Sequence, residues 1–415
     1  MKSNYKRIGD YIQELKVRNT EEKAEKLSGI NINKFFMPSV ANVVGTDLSV
    51  YKLVRKNQFA CNRMHVGRDY RLPISMSKVE EEFMVSPAYD VFEIKDTEAL
   101  NPEYLMMWFS RSEFDRNAWF YTDADVRGGL PWKSFCDMQL PIPHPDKQKE
   151  IVKEYNTIVN RIALNNQLIK KLEETAQAIY KEWFVDFEFP NENGKPYKSN
   201  GGEMVESELG EIPKGWSVEN LGELIDYKKG FAFKSKDYKE NGVPIVRVSD
   251  FTDKSIDMNN CFFLDLSQAK DLSQYSIQTN DIIISTVGSW PDNPASIVGK
   301  VILVPELSNN CLLNQNAVRL RAKNTINQLF IFYRLKSKPF SEYVISGAQG
   351  SANQASVTLA HIFDFKLFCP DKTNKKKIFD AFNKINEVVG NRNSENFYLS
   401  KMQNLLLSKL ATIEN

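Results

Sequence analysis

Apolar side chains recur at Ile151, Tyr155, Ile158, Ile162, Ile169, Leu172, Ala176, Ile179 and Trp183. The steps alternate four and three residues, and Asn165 fills the one polar slot. That spacing predicts a straight helix over Asp146–Phe184 with a single apolar edge. At about 1.5 Å per residue, roughly 40 residues form a rod of about 60 Å, which cannot bury that edge against itself. A partner pattern lies in the same chain. Ile378, Phe382, Ile385, Val389, Leu399, Leu406 and Leu410 repeat the first set at a constant offset of 227 residues, which predicts a second rod over Asp371–Glu414. Asn165 falls on Arg392, with a second polar slot at Asn396. Polar groups in such a seam cost stability and set register.

The order of elements repeats as well. In residues 1–145, Phe59–Cys61, Phe83–Val85 and Val91–Ile94 read as strands. Asn101-Pro102 then opens a helix, with Asn as N-cap and Pro in the first turn. A last strand, Asp137–Pro143, precedes the first rod, which Asp146 is expected to cap. In residues 213–370, Val243–Val248, Asp281–Ile284 and Val301–Val304 read as strands. Asn327–Phe340 aligns with Asn101–Phe114, and Asp364–Pro370 with Asp137–Pro143. Between the blocks, residues 187–212 are rich in Gly, Pro, Asn and Ser and read as a linker. The expected plan is a block (1–145), a rod (146–186), a linker (187–212), a block (213–370) and a rod (371–415).

Composition narrows the class. The 415 residues carry 54 basic and 53 acidic side chains, so no global field draws the chain to a polyanion; such a site must come from local clustering. No run of eighteen apolar residues exists and the first twelve residues lack a signal-peptide core, so a cytoplasmic protein without a membrane span is expected. Cys61, Cys136, Cys261, Cys311 and Cys369 are far apart and form no C-x-x-C pair, which argues against zinc or a disulfide frame. His65, His144 and His361 are isolated and read as structural.

Three motifs carry a resemblance. They are Gly210-Glu211-Ile212-Pro213-Lys214-Gly215-Trp216, Val85-Ser86-Pro87-Ala88-Tyr89, and the rod ending Ala178-Ile179-Tyr180-Lys181-Glu182-Trp183-Phe184-Val185-Asp186-Phe187. With the duplicated block-and-rod plan, they resemble the specificity subunit of type I restriction–modification systems. The resemblance implies an α+β fold: two similar mixed α/β target recognition domains separated by an antiparallel two-helix coiled coil, with a pseudo-twofold internal duplication. It implies that each domain reads one half of an asymmetric bipartite site on double-stranded DNA. The paired helices would set the gap and dock two methyltransferase subunits, with translocase–nuclease subunits joining for restriction. S-adenosylmethionine, ATP and Mg would then sit on those partners, with no cofactor and no metal in this chain. DNA-reading residues vary within the family and are not implied.

Local clusters suggest where DNA contact would fall. Arg55–Lys78 holds Arg63, His65, Arg68, Arg71 and Lys78 among its polar groups, with Asp69 as its one acid and Phe59 and Tyr70 interleaved. Asp226–Arg247 holds Lys228, Lys229, Lys234, Lys236 and Arg247, with Phe231 and Phe233 between. Basic side chains position a protein on phosphates, while Arg, Asn and Gln also read base edges. Two polar turns are further candidates: Ser285–Asn293, with Trp290, and Gly347–Gln354, with Gln349, Asn353 and Gln354. Arg127 and Lys133 occupy the corresponding place in the first block. An ordinary solvated loop is the competing reading for each.

Catalytic signals are missing. Asn101-Pro102-Glu103-Tyr104 is close to the N-P-P-Y of adenine methyltransferases, but no glycine-rich cofactor turn precedes it. Gly299-Lys300 is followed by Val301 where a phosphate-binding loop needs Ser or Thr. No Asp/Glu/Lys nuclease set and no Ser/His/Asp set is discernible. The chain reads as non-catalytic; a self-contained methyltransferase and a non-DNA adaptor with two ligand modules are the rivals.

Overall fold

A computed structural model describes residues 5–39, 45–64, 66–122, 128–252, 255–258, 261–290, 297–323, 327–351, 353–370 and 375–413, with backbone alone at 375–378. The protein is a mixed α/β chain with two long helices, Pro145–Phe184 and Lys375–Lys409. It divides into two units: Met1–Ala163 with Tyr398–Asn415, and Leu164–Phe397. Both divisions fall inside the long helices rather than at residues 145 and 213, because each helix lends its side chains to the core of the unit it crosses.

The first unit is built on a four-stranded antiparallel sheet. Its order is Ile12–Leu15, Asp90–Ile94, Phe59–Cys61, Ile74–Met76. Phe59–Cys61 is buried at every position, as an inner strand covered on both faces should be. Tyr5–Arg7 pairs with Gln139–Pro141 and joins the start of the unit to the start of the long helix. Asn101 accepts from the Glu103 and Tyr104 amides, so its side chain caps Pro102–Phe109 and is not part of a methyltransferase motif. Fully buried Gln148 ties that cap to the long helix. It accepts from the Asn101 amide and donates to the Ala99 and Pro143 carbonyls. The helix opens one residue earlier than expected, at Pro145, and Asp146 is not its cap. The Lys147 and Gln148 amides donate to the His144 carbonyl, and the Asp146 amide approaches His144 Nδ1 at 3.4 Å.

The second unit repeats that sheet order with Ile225–Lys229, Ala317–Ala322, Ile282–Ser285 and Val301–Leu303. Ser217–Asn220 pairs with Lys366–Cys369, as Tyr5–Arg7 pairs with Gln139–Pro141. Asn327 caps Gln328–Leu335 through the Leu329 and Phe330 amides, in the manner of Asn101. A further sheet orders Phe262–Leu264, Val243–Val246 and Leu312–Leu313.

The long helices have more than one apolar edge. In the second unit Tyr180 and Phe184 pack on Phe330 at centroid distances of 5.9 and 4.8 Å. Trp183 meets Phe382 of the C-terminal helix at 6.4 Å, and Phe184 also reaches Phe382, at 6.2 Å. Ile169 is buried and Leu172 and Ile179 are half-buried. Asn165, only 2% exposed, donates from Nδ2 to Asn396 Oδ1 at 2.9 Å, and Asn396 donates to Asn166 Oδ1 at 2.9 Å. Contacts at 165–396 and 183–382 mean that the two segments run antiparallel within this unit. Ile385 and Val389 are half-buried beside them, while the Ile378 side chain lies outside the described residues. In the first unit Ile151, Tyr155, Val152 and Ile158 line the helix, with Ile162 half-buried. Gln403 donates to Tyr155 Oη at 2.8 Å, and Leu407 and Leu410 join the core, with Leu399 and Leu406 half-buried.

The expected linker is not a free tether. Phe187 and Phe189 are buried in the core of the second unit, and Phe189 stacks between Tyr197 at 4.7 Å and Trp216 at 5.2 Å. Met204–Ser207 and Gly210–Pro213 form a hairpin. Aromatic anchors hold this strap down, and the Gly and Pro residues between them conceal that from a composition count.

Candidate nucleic-acid interface

The first basic stretch is less open than its composition suggests. Pairing of Lys52–Val54 with Phe83–Val85 brings acids to the basic side chains. Arg55 bonds Glu82 at 2.8 Å and Lys56 pairs with Glu80. Arg63 is the clearest correction. Its Nε donates to Asp90 at 2.7 Å, its fork reaches the Leu130 carbonyl, and it lies over the Trp132 ring at 5.5 Å. Burial opposes its charge, but Asp90 outweighs that and its pKa is raised. These contacts hold it in place as a structural tie. Arg68 is exposed and forks onto its neighbour Asp69 at 2.7 and 3.0 Å. Arg71 donates to Asn33 at 3.0 Å, and Lys78 lies 3.7 Å from Glu103. Lys133 is exposed. His65 and Arg127 lie outside the described residues.

Around this stretch stands an aromatic group that charge counting missed. Tyr70 is 61% exposed, with φ of 56°, and its ring lies 5.2 Å from Trp119. Trp119, Phe120 and Tyr121 are themselves exposed at the end of Ser112–Phe120. Three consecutive aromatics were the available signal.

In the second unit the basic residues sort into two groups. Lys228 is held, donating to Gln274 at 2.6 Å over the Tyr275 ring. Arg247 is held by Asp250 through Nε at 3.1 Å and a terminal nitrogen at 2.7 Å, over the Phe262 ring at 4.3 Å. The bond from Asp250 raises its pKa against the opposing effect of burial. Lys229, Lys234 and Lys236 are exposed, with no ion pair among the described residues. Lys234 and Lys236 border a cavity of about 390 Å³ with Phe231, Phe233 and Leu264. Cationic heads beside aromatic faces suit a polyanion carrying bases.

The two polar turns, distant in sequence, meet in space. Gln349–Ser351 and Gln354–Ser356 form a hairpin, and Val287–Gly288 adds a third strand beside Gln354–Ser356. Trp290 Nε1 donates to the Ser351 carbonyl at 2.8 Å. Gln349, Asn353 and Gln354 are all exposed. Residues 291–296 and Ala352 lie outside the described residues.

Chemistry of the nucleophilic kind finds little support here. Burial pushes the thiols of Cys261 and Cys311 up to about 11 and about 12, and that of Cys61 higher still, so they stay protonated at neutral pH. Among the described residues no group of three or more His, Cys, Asp or Glu side chains is placed to hold a metal ion. No helix among them is long and apolar enough to cross a membrane.

Comparison with known proteins agrees with this geometry. Residues 213–395 match the family described as Type I restriction modification DNA specificity domain. The Type I restriction enzyme MjaVIII specificity subunit of Methanocaldococcus jannaschii is 23% identical over 283 residues, covering 68% of this chain and 63% of the relative. The chain thus spans a little under two thirds of that relative's length. The Type I restriction enzyme HindI specificity subunit of Haemophilus influenzae is 21% identical over 446 residues, with 91% of each chain covered. The crystal structure of the type I restriction–modification S subunit from M. genitalium aligns over 99% of this chain and 96% of that one. Its TM-score is 0.54 at 13% identity, a shared fold. Residues 213–395 are thus similar to the type I restriction modification DNA specificity domain, and the fold is that of a type I restriction–modification S subunit.

Proposed function

We propose that this chain is the non-catalytic, DNA-reading specificity subunit of a type I restriction–modification complex. One observation carries the reading. The segment that matches the DNA specificity domain contains a four-stranded sheet and a helix cap that recur, in the same order, in the other unit. We take this as an internal duplication with two readers, one per half-site, joined through an antiparallel pair of long helices that sets the unread gap. Because the two units differ in sequence, the half-sites differ, and the target is asymmetric.

Exposed apolar side chains on the long helices support docking of methyltransferase subunits. Tyr398, Met402 and Leu405 follow one another at steps of four and three in the first unit, exposed at 60%, 52% and 62%. Leu164 and Leu168, four residues apart, are exposed in the second. A stripe at that spacing fits a partner helix. Lys170, Lys171 and Lys181, exposed on the same long helix as Leu164 and Leu168, would also meet the partner. Translocase–nuclease subunits would join that core, and S-adenosylmethionine, ATP and Mg would be bound by the partners.

The test is a mobility-shift titration of the chain with its methyltransferase on duplex DNA, alongside mapping of modified adenines in a host with and without the chain. Affinity should fall steeply with salt, since phosphate contacts release counterions, and one split motif should lose its modification when the chain is absent. Salt-independent binding, or an unchanged modification map, would overturn the reading.

A further inference from the structure

We propose that the hairpin Gln349–Ser356 reads adenine-bearing base pairs through a face formed by Gln349, Ser351, Gln354 and Ser356. The proposal rests on the DNA-reading function above and says which side chains of the second unit carry base specificity.

The register places Gln349 opposite Ser356 and Ser351 opposite Gln354. Directly paired residues of an antiparallel ladder share a face, and residues two apart share it too. All four side chains therefore stand on one side, and all four residues are exposed. The other side is Gly350 opposite Ala355. Ala355 is fully buried in the core of the unit. Gly350 has φ of 156°, and a Cβ there would stand 2.0 Å from the Gln354 carbonyl oxygen. Ala355 thus seats the hairpin on the body, the missing side chain at Gly350 lets the two hairpin strands close on each other, and the four longer side chains stand on the opposite face.

The outward face is uncharged and has no apolar member. That composition is poor for holding phosphate, which Lys and Arg do better, and poor for covering a protein surface. It suits base edges. A Gln amide offers one donor and one acceptor in the spacing of adenine N7 and N6, and Ser complements either partner. The major groove, about 12 Å wide, admits a two-stranded ribbon. The hairpin is also held in shape before DNA arrives. Val287–Gly288 pairs with its inner strand, the Val357 amide donates to the Thr286 carbonyl at 3.0 Å, and Trp290 Nε1 holds the Ser351 carbonyl. Ser356 Oγ donates to the Gln349 carbonyl at 3.2 Å, which leaves the two Gln amides and Ser351 as the principal readers. Fixed geometry of this kind lowers the ordering cost of binding and sharpens discrimination.

The test is selection from randomised duplexes with the full chain bound to its methyltransferase, comparing wild type with Gln349→Ala, Gln354→Ala, the double variant and Gln354→Glu. Each Ala variant should lose roughly 5- to 150-fold preference for adenine at one position of one half-site, the equivalent of about 1–3 kcal/mol. The other half-site and the salt slope should not change. Gln354→Glu should move the preference at its position toward cytosine, whose N4 amine a carboxylate can accept. A thermal melt checks that each variant keeps its fold. An unchanged motif in the double variant, or altered positions in both half-sites, overturns the assignment while leaving the specificity-subunit reading intact. Wild type that selects no sequence at all overturns both.

Discussion

Asn165 and Asn396 form a polar contact inside a largely apolar helix seam, and breaking it should expose its energetics. Asn396→Ala leaves the Asn165 amide, 2% exposed, without its partner. An unsatisfied buried polar group costs about 1–3 kcal/mol. Asn165→Ala leaves the acceptor on half-buried Asn396, which water can reach, so the cost should lie near the lower end of that range. The double variant leaves neither group unpaired. Its cost should therefore fall below the sum of the single costs by roughly 0.5–1.5 kcal/mol, the net value of one hydrogen bond or a little more. For a unit of this size each kcal/mol moves the melting midpoint by about 2–4 °C. The assay is urea and thermal unfolding followed by tryptophan fluorescence, to which Trp183, packed on Phe382 in the same helix pair, contributes. Replacing both positions with Leu should raise the midpoint, because each buried Leu contributes up to about 2 kcal/mol, while loosening the choice of register. Strictly additive single variants would refute the idea that this contact couples the two helices.

Further outcomes follow from the same contacts. Asn101→Ala and Asn327→Ala should each destabilise their own unit by about 1 kcal/mol through loss of a helix cap, measurable as separate shifts in hydrogen exchange. Arg63→Ala should lower the stability of the first unit because it removes the partner of Asp90, whereas Lys234→Ala with Lys236→Ala should leave stability alone. That double Lys variant should instead reduce the salt slope of DNA binding by about 2, if both contact phosphate. Deleting one heptad from each long helix should change the unread gap in the modification map and leave both half-sites as they were.

Much of the fold was legible in the sequence because it rests on local periodicity. The long helices announced themselves by four-three spacing over many turns, and the strands by short apolar runs such as that in Asp281–Ile284. The Asn caps at 101 and 327 needed only an Asn before a helical run. The recurring helix pattern needed only a constant offset of 227 residues between matching apolar positions.

Contacts between segments far apart in the chain were not legible. Arg63 and Lys228 looked like cations facing outward until the fold supplied Asp90 and Gln274 as partners. The strap after Phe184 looked free because nothing local signals that Phe187 and Phe189 have a pocket to fill. The two polar turns gave no hint that they pair through Trp290 and Ser351. The sequence by itself determined the elements, their order and their repetition, because helix and strand periods are properties of neighbouring residues. Only the tertiary structure decided which charges remain open and which face of a ribbon looks outward, because pairing, burial and register arise from residues the chain brings together after it folds.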